Sequence, residues 1–519
     1  MTERSALSSP LVVAVVATLV VLGLVVDTMR GGAVDEAPST TTAPLLAGSS
    51  TCAAMAFDDA SDVTATTVAM PRSEADEGTA SLNLASDGAV RPLTAPPTDG
   101  SAAATALVGD EDLAALTARW EETPLLLSRR WSVDDTQRVP GTVEGPCPAG
   151  PETRWVVPGV ATAGGAAATL HLANPTEGSA SLSVTFTTPD GPVAPTRLAN
   201  LAVAPHGQIT VDLNQFVPEE PDLGVIVETR AGRVVAEVLQ TLEAAVGGVD
   251  GRTLIPAHSA AAETWTIPWV RAADQDTAWL WVTNPGTEPT DVRLVLQTAE
   301  GPVVPPDSGV TLAPGVTQRI DLRGALAEVG SAAVTVRSAP GAPIVASGAV
   351  LRAVEEDALR SGVTVVEALP ASDGPQAALS AVGGEGRDRL LLVANPSEEP
   401  ATIDVRVVGR SVSTARIVAS GLTVPAGSSV AVQLVEDLPL EGGYAVVVEP
   451  TEGAVAATVI GTDVEGPLNL VALAARPFPA TVTVTDPVVV RDRSLLHPLD
   501  IEELRPPSST PAPSDEPTS

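Results

Sequence analysis

The chain has 519 residues, and its 64 acidic side chains against 29 basic ones leave a formal net charge of −35. That surplus argues against nucleic acid as a partner, because a phosphate backbone is held by positive charge and would be repelled here. Every basic residue is Arg, so Schiff-base, P-loop, Ser-x-x-Lys and Lys-Asn isopeptide chemistries, each of which needs a lysine amine, are excluded. Hydrophobic residues make up 44% but aromatics only 2%, so the cores must be built from Val, Leu, Ile and Ala, a composition that favours strands.

In chain order, the first element is the uninterrupted apolar run Leu11 to Val26, with Arg4 before it and Asp27 and Arg30 after it. At about 1.5 Å per residue it spans roughly 24 Å, short for a hydrocarbon core of about 30 Å unless Ala6 to Pro10 extend it. Residues 1–33 read as a cytoplasmic N-terminus and an uncleaved transmembrane anchor. A secretory signal cut near Gly31-Gly32-Ala33 is the alternative. Arg4 and the free amino group place the short N-terminus in the cytoplasm and the rest of the chain outside. Residues 34–50, rich in Pro, Ser and Thr, form a stalk.

Residues 51–150 hold the only two cysteines, Cys52 and Cys147. In an extracytoplasmic chain a disulfide is the leading reading, closing a loop worth on the order of 4 kcal/mol; two buried thiols are the alternative. Ser81 to Ala85 and Pro124 to Trp131 read as strands and Asp110 to Trp120 as a short helix, which makes this region a partial β domain.

Three stretches then repeat one another: Leu170-His-Leu-Ala-Asn-Pro175, Leu280-Trp-Val-Thr-Asn-Pro285 and Leu391-Leu-Val-Ala-Asn-Pro396. In each, Pro presets φ and Asn (Asn174, Asn284, Asn395) closes an Asx-turn before Pro175, Pro285 or Pro396, which reads as a hairpin. The strand that follows alternates with period two: residues 180–187, then Val292, Leu294 and Leu296, then Ile403, Val405 and Val407. A second turn recurs 29 to 30 residues on, at Pro205-His-Gly207, Pro314-Gly315 and Pro425-Ala-Gly427. A closing hairpin, Gly224 to Val238 and its counterpart Tyr444 to Ile460, completes the unit. The expected fold is all-β, with tandem immunoglobulin-like β-sandwiches at 151–258, 259–370 and 371–480 behind one N-terminal transmembrane helix. Each repeat is expected to be its own domain in a row, with linkers near Pro256 to Glu263 and Leu369 to Gln376. The first two open alike, at Trp155 and Trp265; the third, at Gln376 to Val382, carries neither Trp nor Pro and has drifted. Residues 481–519 form an extension that ends in a disordered Pro/Ser/Thr tail.

Cys147-Pro148, Trp155 and the motif Leu170-x-Leu172-x-Asn174-Pro175, behind an apolar N-terminal segment, resemble an actinobacterial group of membrane-anchored proteins, domain of unknown function 5719. The resemblance runs over residues 110 to 475. It implies a cell-envelope role, since families of this kind are often encoded beside envelope glycosyltransferases, and it implies no activity.

Motifs for chemistry are absent from the sequence. The four histidines, His171, His206, His258 and His497, are scattered, and His258 falls in an expected linker. Asp274 and Asp276 are weak calcium candidates, without EF-hand spacing. Trp279 and Trp281 share one strand face and make either a glycan platform or a cap on the sandwich core. The resulting expectation is a non-enzymatic cell-membrane protein, single-pass and mostly extracytoplasmic, without cofactor. It serves as spacer and scaffold for a cell-envelope protein; a cell-wall or exopolysaccharide glycan-binding module is the alternative.

Overall fold

The computed structural model describes residues 40–55, 63–70, 78–86, 89–107, 113–133, 141–246, 249–272, 276–306, 308–352, 362–380, 389–411, 415–434, 443–462, 470–479 and 481–485. The apolar run 11–26, Asp274 and the tail beyond residue 485 lie outside these. Among the described residues no helix is long and apolar enough to cross a membrane. The chain divides into two bodies. One contains a two-stranded antiparallel ribbon of Thr40–Pro44 with Thr481–Thr485, in which Thr42 faces Thr483. The other is Leu45–Ala480.

The second body is nearly all antiparallel sheet. Each repeat has an opening sheet, which holds its first strand, and a closing sheet, which holds its last long strand. In repeat 1 the opening sheet runs Arg154–Val160, Leu223–Ala231, Ala180–Thr188, Gly191–Val193 and the closing sheet Gln208–Asp212, Ala166–Ala173, Val235–Val246, Val249–Ile255. Repeat 2 copies this order strand for strand, and repeat 3 keeps it with a continuous outer strand Arg416–Val424. The period-two alternation is realised: in Ala180–Thr188 buried and half-buried positions alternate, and Val292, Leu294, Leu296, Ile403, Val405 and Val407 are all buried.

Residues 51–150 differ from the partial domain expected. They form a full fourth member of the series, with an opening sheet Ala47–Ala53, Leu113–Glu121, Thr79–Ser86, Ala89–Pro92 and a closing sheet Ala102–Leu107, Val63–Ala69, Leu125–Val133, Gly141–Pro146. The expected helix at 110–120 is, over Leu113–Glu121, a strand at the centre of the opening sheet. Its Ala and Leu residues suit either state, and pairing on both sides decides for strand. Cys52 and Cys147 form the disulfide, inside the core of this N-terminal unit with Leu82, Trp120 and Leu125.

Neither expected hairpin is one. Ala166–Ala173 lies in the closing sheet and Ala180–Thr188 in the opening sheet, so the Asn-Pro turn carries the chain from one sheet to the other. The Asn174 amide explains the crossing: its Nδ2 donates to Gly178 O at 2.7 Å within the turn and to Ala204 O at 3.1 Å in the other recurrent turn. Asn284 reaches Glu288 O and Leu312 O, and Asn395 reaches Glu399 O and Val424 O, in the same way. The constant spacing of 29 to 30 residues is therefore the reach of one side chain. At the end of the unit, Leu223–Ala231 and Val235–Val246 also belong to opposite sheets, joined through Gly232 at φ +71, and Tyr444–Glu452 and Ala456–Thr462 repeat this through Gly453 at φ +76.

The repeats do not stand in a row on linkers. The His258 backbone pairs in both directions with Val156, and that of Leu369 with Thr266, so the expected linkers are bound to the opening strand of the repeat they leave. Each opening sheet then lies on the closing sheet of the next repeat: repeat 1 on 2, 2 on 3, 3 on the N-terminal unit, and that unit on repeat 1. Hydrophobic clusters bridge these contacts. The order closes on itself, so the body is a ring of four members.

Candidate functional site

The last strands of the four closing sheets, Gly141–Pro146, Val249–Ile255, Gly362–Glu367 and Leu470–Ala474, contact one another in a closed cycle around the axis of the ring. Between them lies a cavity of about 40 Å³, lined by Glu144, Pro146, Leu254, Pro256, Val365, Glu367, Ala472 and Ala474, with Glu237 and Arg476 at its wall. Two positions recur here from each member: Glu144, Leu254, Val365, Ala472, and Pro146, Pro256, Glu367, Ala474. A space of this size holds a few waters and is far below the several hundred cubic ångströms of a small-molecule site.

Charged residues from all four members converge beside this cavity, Glu144 in its lining among them. Arg129 of the N-terminal unit meets Glu237 of repeat 1 at 2.8 Å, with both side chains buried. Arg476 of repeat 3 meets Glu367 of repeat 2 at 2.7 Å and donates from Nη1 to Cys147 O of the N-terminal unit at 3.1 Å. Glu237 also accepts from Ala53 N at 2.7 Å, and Arg129 stacks on Trp131 with its guanidinium carbon 4.4 Å from the ring centroid. Burial pushes the Glu237 carboxyl up against the pull of Arg129, and pushes Arg129 down. His258 is buried with its ring 4.6 Å from that of Trp265; burial, and then the nearby charge of Arg476, lowers its pKa to about 3.

Trp279 and Trp281 belong to the joint between repeats 1 and 2. Trp281 is 5% exposed; its indole donates to Asp222 Oδ1 of repeat 1 at 3.0 Å, and a Cβ on Gly159 of that repeat would come within 2.7 Å of its ring. Trp279 stands edge-on to Trp281 at 5.8 Å, with the Arg319 guanidinium 4.6 Å over its own ring. Trp281 is thus covered by the neighbouring repeat, while Trp279 is half-buried between Trp281 and Arg319. Trp155 and Trp265 are buried, and each donates Nε1–H at 2.7 Å to a carbonyl 79 residues on, Val234 O and Ile344 O. Gln376 has not drifted in function: its amide donates to Val455 O at 3.1 Å, again 79 residues on.

Asp276, the weak calcium candidate, holds Arg271 Nε at 2.7 Å, and among the described residues no group of three or more His, Cys, Asp or Glu is placed to hold a metal ion. The Asn-Pro turns act in the joints as well as in their own repeats: Arg154 Nη2 donates to Pro285 O of the next repeat at 3.0 Å, and Arg337 Nη2 to Pro396 O at 3.0 Å. Sequence reasoning missed Arg129, Glu237, Glu367 and Arg476. The signal was there for two of them, since a charge inside Leu125-Leu-Leu-Ser-Arg-Arg-Trp131 or Val235-Ala-Glu-Val238 interrupts an apolar strand.

No curated protein matches the chain. Among solved structures, an α-L-rhamnosidase of Streptomyces avermitilis in complex with L-rhamnose aligns at 11% identity over 81% of this chain and 54% of its own, with a TM-score of 0.10. The chain spans about half the length of that enzyme, and so low a score says nothing of fold or activity. The sequence profile of a family of unknown function, DUF5719, matches residues 130–374 and 369–484, everything in the ring but about the first four fifths of the N-terminal unit, and the chain belongs to that family.

Proposed function

We propose that this protein is a non-enzymatic cell-envelope scaffold, anchored in the membrane through residues 11–26, whose tandem immunoglobulin-like units serve as a rigid spacer and a surface for another envelope protein. One observation carries the reading. The side chains best equipped for chemistry or for sugar binding, namely Arg129, Glu237, Glu367, Arg476, His258 and Trp281, are spent on holding the ring together. The 16-residue apolar run and the acidic, Lys-free composition support the extracytoplasmic placement.

Two measurements on the whole chain test this. Protease added to intact cells should digest an epitope at the C-terminus while the chain fractionates with membranes; protection of the epitope would overturn the placement. Purified protein incubated with insoluble cell-wall material should stay in the supernatant; saturable co-sedimentation would overturn the scaffold reading in favour of glycan binding.

A further inference from the structure

The four joints of the ring are not alike. Repeats 1 and 2, and repeats 2 and 3, are joined through large shared clusters, beside which repeat 3 keeps a core of its own: the cluster of repeat 1 includes Trp281, Ala349, Leu351 and Val363 of repeat 2, and the cluster of repeat 2 includes Val156 of repeat 1 and Leu392, Ile460 and Leu470 of repeat 3. The N-terminal unit has a core of its own, and its contacts with repeats 1 and 3 are separate, smaller clusters. Polar contacts cross every joint, but the most deeply buried ion pair between members is at one of its joints. Toward repeat 1 stand the buried Arg129–Glu237 pair and Gln208 Nε2, which donates to Ala54 O at 2.7 Å; toward repeat 3 stands Arg476 on Cys147 O. A buried ion pair returns little net stability after desolvation, whereas continuous apolar burial returns about 25 cal/mol per Å².

This weakly welded member is also the one that carries the disulfide. Cys52 and Cys147 occupy positions that Val157 and Ala257, Ile267 and Ala368, and Ala378 and Ala475 fill by packing alone in the other repeats, all of them buried. A covalent staple is superfluous where neighbours share the core, and useful where a member must keep its fold alone. The chain after it, Pro148-Ala-Gly-Pro151, contains Gly150 at φ +145, a conformation only glycine adopts readily.

From these features we propose that the N-terminal unit, residues 47–148, is a closing segment that undocks from the ring as a folded body, while repeats 1 to 3 stay together. Undocking uncovers the apolar face of repeat 3 formed by Val408, Ala445, Val447 and Phe478, which the closed ring covers with Val68, Ala102 and Leu126.

Hydrogen exchange on the full chain under graded urea tests this. The amides of Ala53, bonded to Glu237, and Ala102, bonded to Gly409 O across the joint, report docking. Those of Leu116 and Leu127, central in the two sheets of the unit, report its own fold. The joint amides should open at lower urea than the internal ones, and Arg476→Gln should speed the joint amides about tenfold without moving the internal ones. Opening of both sets at one urea concentration, or equal acceleration of both in the variant, would overturn the proposal. Should the variant fail to fold, the urea dependence of the wild type decides alone.

Discussion

The joint between repeats 1 and 2 and the joint between repeats 2 and 3 use the same strands and different side chains. At the first, Gly159 with φ +84 leaves room for Trp281. At the second, the position of Gly159 is held by Trp269 and that of Trp281 by Leu392, and both are buried in one cluster. Volume is thus kept constant across a joint, not at a position. Backbone recognition is also the same at both: Thr253 Oγ1 accepts from Val365 N at 3.2 Å, and Thr364 Oγ1 from Ala472 N at 3.1 Å. The joint between the N-terminal unit and repeat 1 departs from both, with Ala54 and His171 at these two positions and an ion pair in support.

That departure makes one joint titratable. His171 is 4% exposed, and burial, with the charge of Arg129 second, lowers its pKa to about 4; its Nδ1 lies 3.3 Å from Gln208 Nε2, which in turn donates to Ala54 O. The unfolded imidazole protonates near pH 6.5 and the folded ones only near 4 at His171 and 3 at His258. Stability from each is therefore full above pH 6.5 and is lost as pH falls, down to the folded pKa. Across that window His171 contributes on the order of 3 kcal/mol and His258 on the order of 5 kcal/mol. Urea midpoints measured from pH 7 to 4 should fall, and His171→Leu should flatten the part of the slope lying above pH 4. A slope unchanged in that variant would show that His171 does not control the joint.

Breaking the ion pair from one side is the next largest effect. Glu237→Gln leaves Arg129 buried without its counter-charge and should cost about 3 to 5 kcal/mol, whereas replacing both partners by Met and Leu should be nearly neutral. Equal losses in the single and double variants, read by urea denaturation, would show that the pair adds net stability. Next comes the size exchange itself. Gly159→Leu meets Trp281 and must adopt a positive φ, a loss of about 3 kcal/mol. Adding Trp281→Ala should relieve the steric part and leave the backbone part, so a double-mutant cycle should give a coupling of at least about 1 kcal/mol. Strict additivity would mean that the two residues do not share the joint.

The internal clamps should cost less. Asn284→Ala strips donors from the carbonyls of Glu288 and Leu312 and an acceptor from Gly286 N, for about 2 kcal/mol. The same change at Asn174 or Asn395 should cost at least as much, since each of these amides also accepts from a hydroxyl, that of Thr176 or Ser397; a smaller loss at either would show that its turn is held by other means.

This explains what could be read from the sequence. Period-two strands and the Asn-Pro turns were legible because each is a local signal, and Cys52 with Cys147 because they are the only two cysteines in the chain. Whether two consecutive strands pair or cross to opposite sheets was not, because Asn174 and Gly232 decide it through partners far along the chain. The fourth member was hidden for a similar reason. The position filled by Trp155, Trp265 and Gln376 is Ser50 there, whose Oγ donates to Pro148 O at 3.1 Å, so the recurring feature is a donor with no fixed residue type. The joint residues were invisible individually. Trp281 on a strand face looks the same in sequence whether a sugar or Gly159 lies against it.

The smallest effect gives the sharpest reading of the two matched joints. Around the axis the last strand of each closing sheet has an outer edge whose N–H groups lack a strand partner, and an unpaired buried N–H costs on the order of 1 kcal/mol or more. Threonine at 253 and 364 supplies the acceptor, while at the corresponding positions 143 and 471 stands Val, which cannot. Thr364→Val should therefore lower stability by about 1 kcal/mol and speed exchange at Ala472, and Thr253→Val should do the same at Val365. If the Val side chain instead gains as much from apolar packing as the lost bond costs, stability will not change but exchange at Ala472 will still rise. Unchanged exchange would mean that neither threonine closes its strand edge.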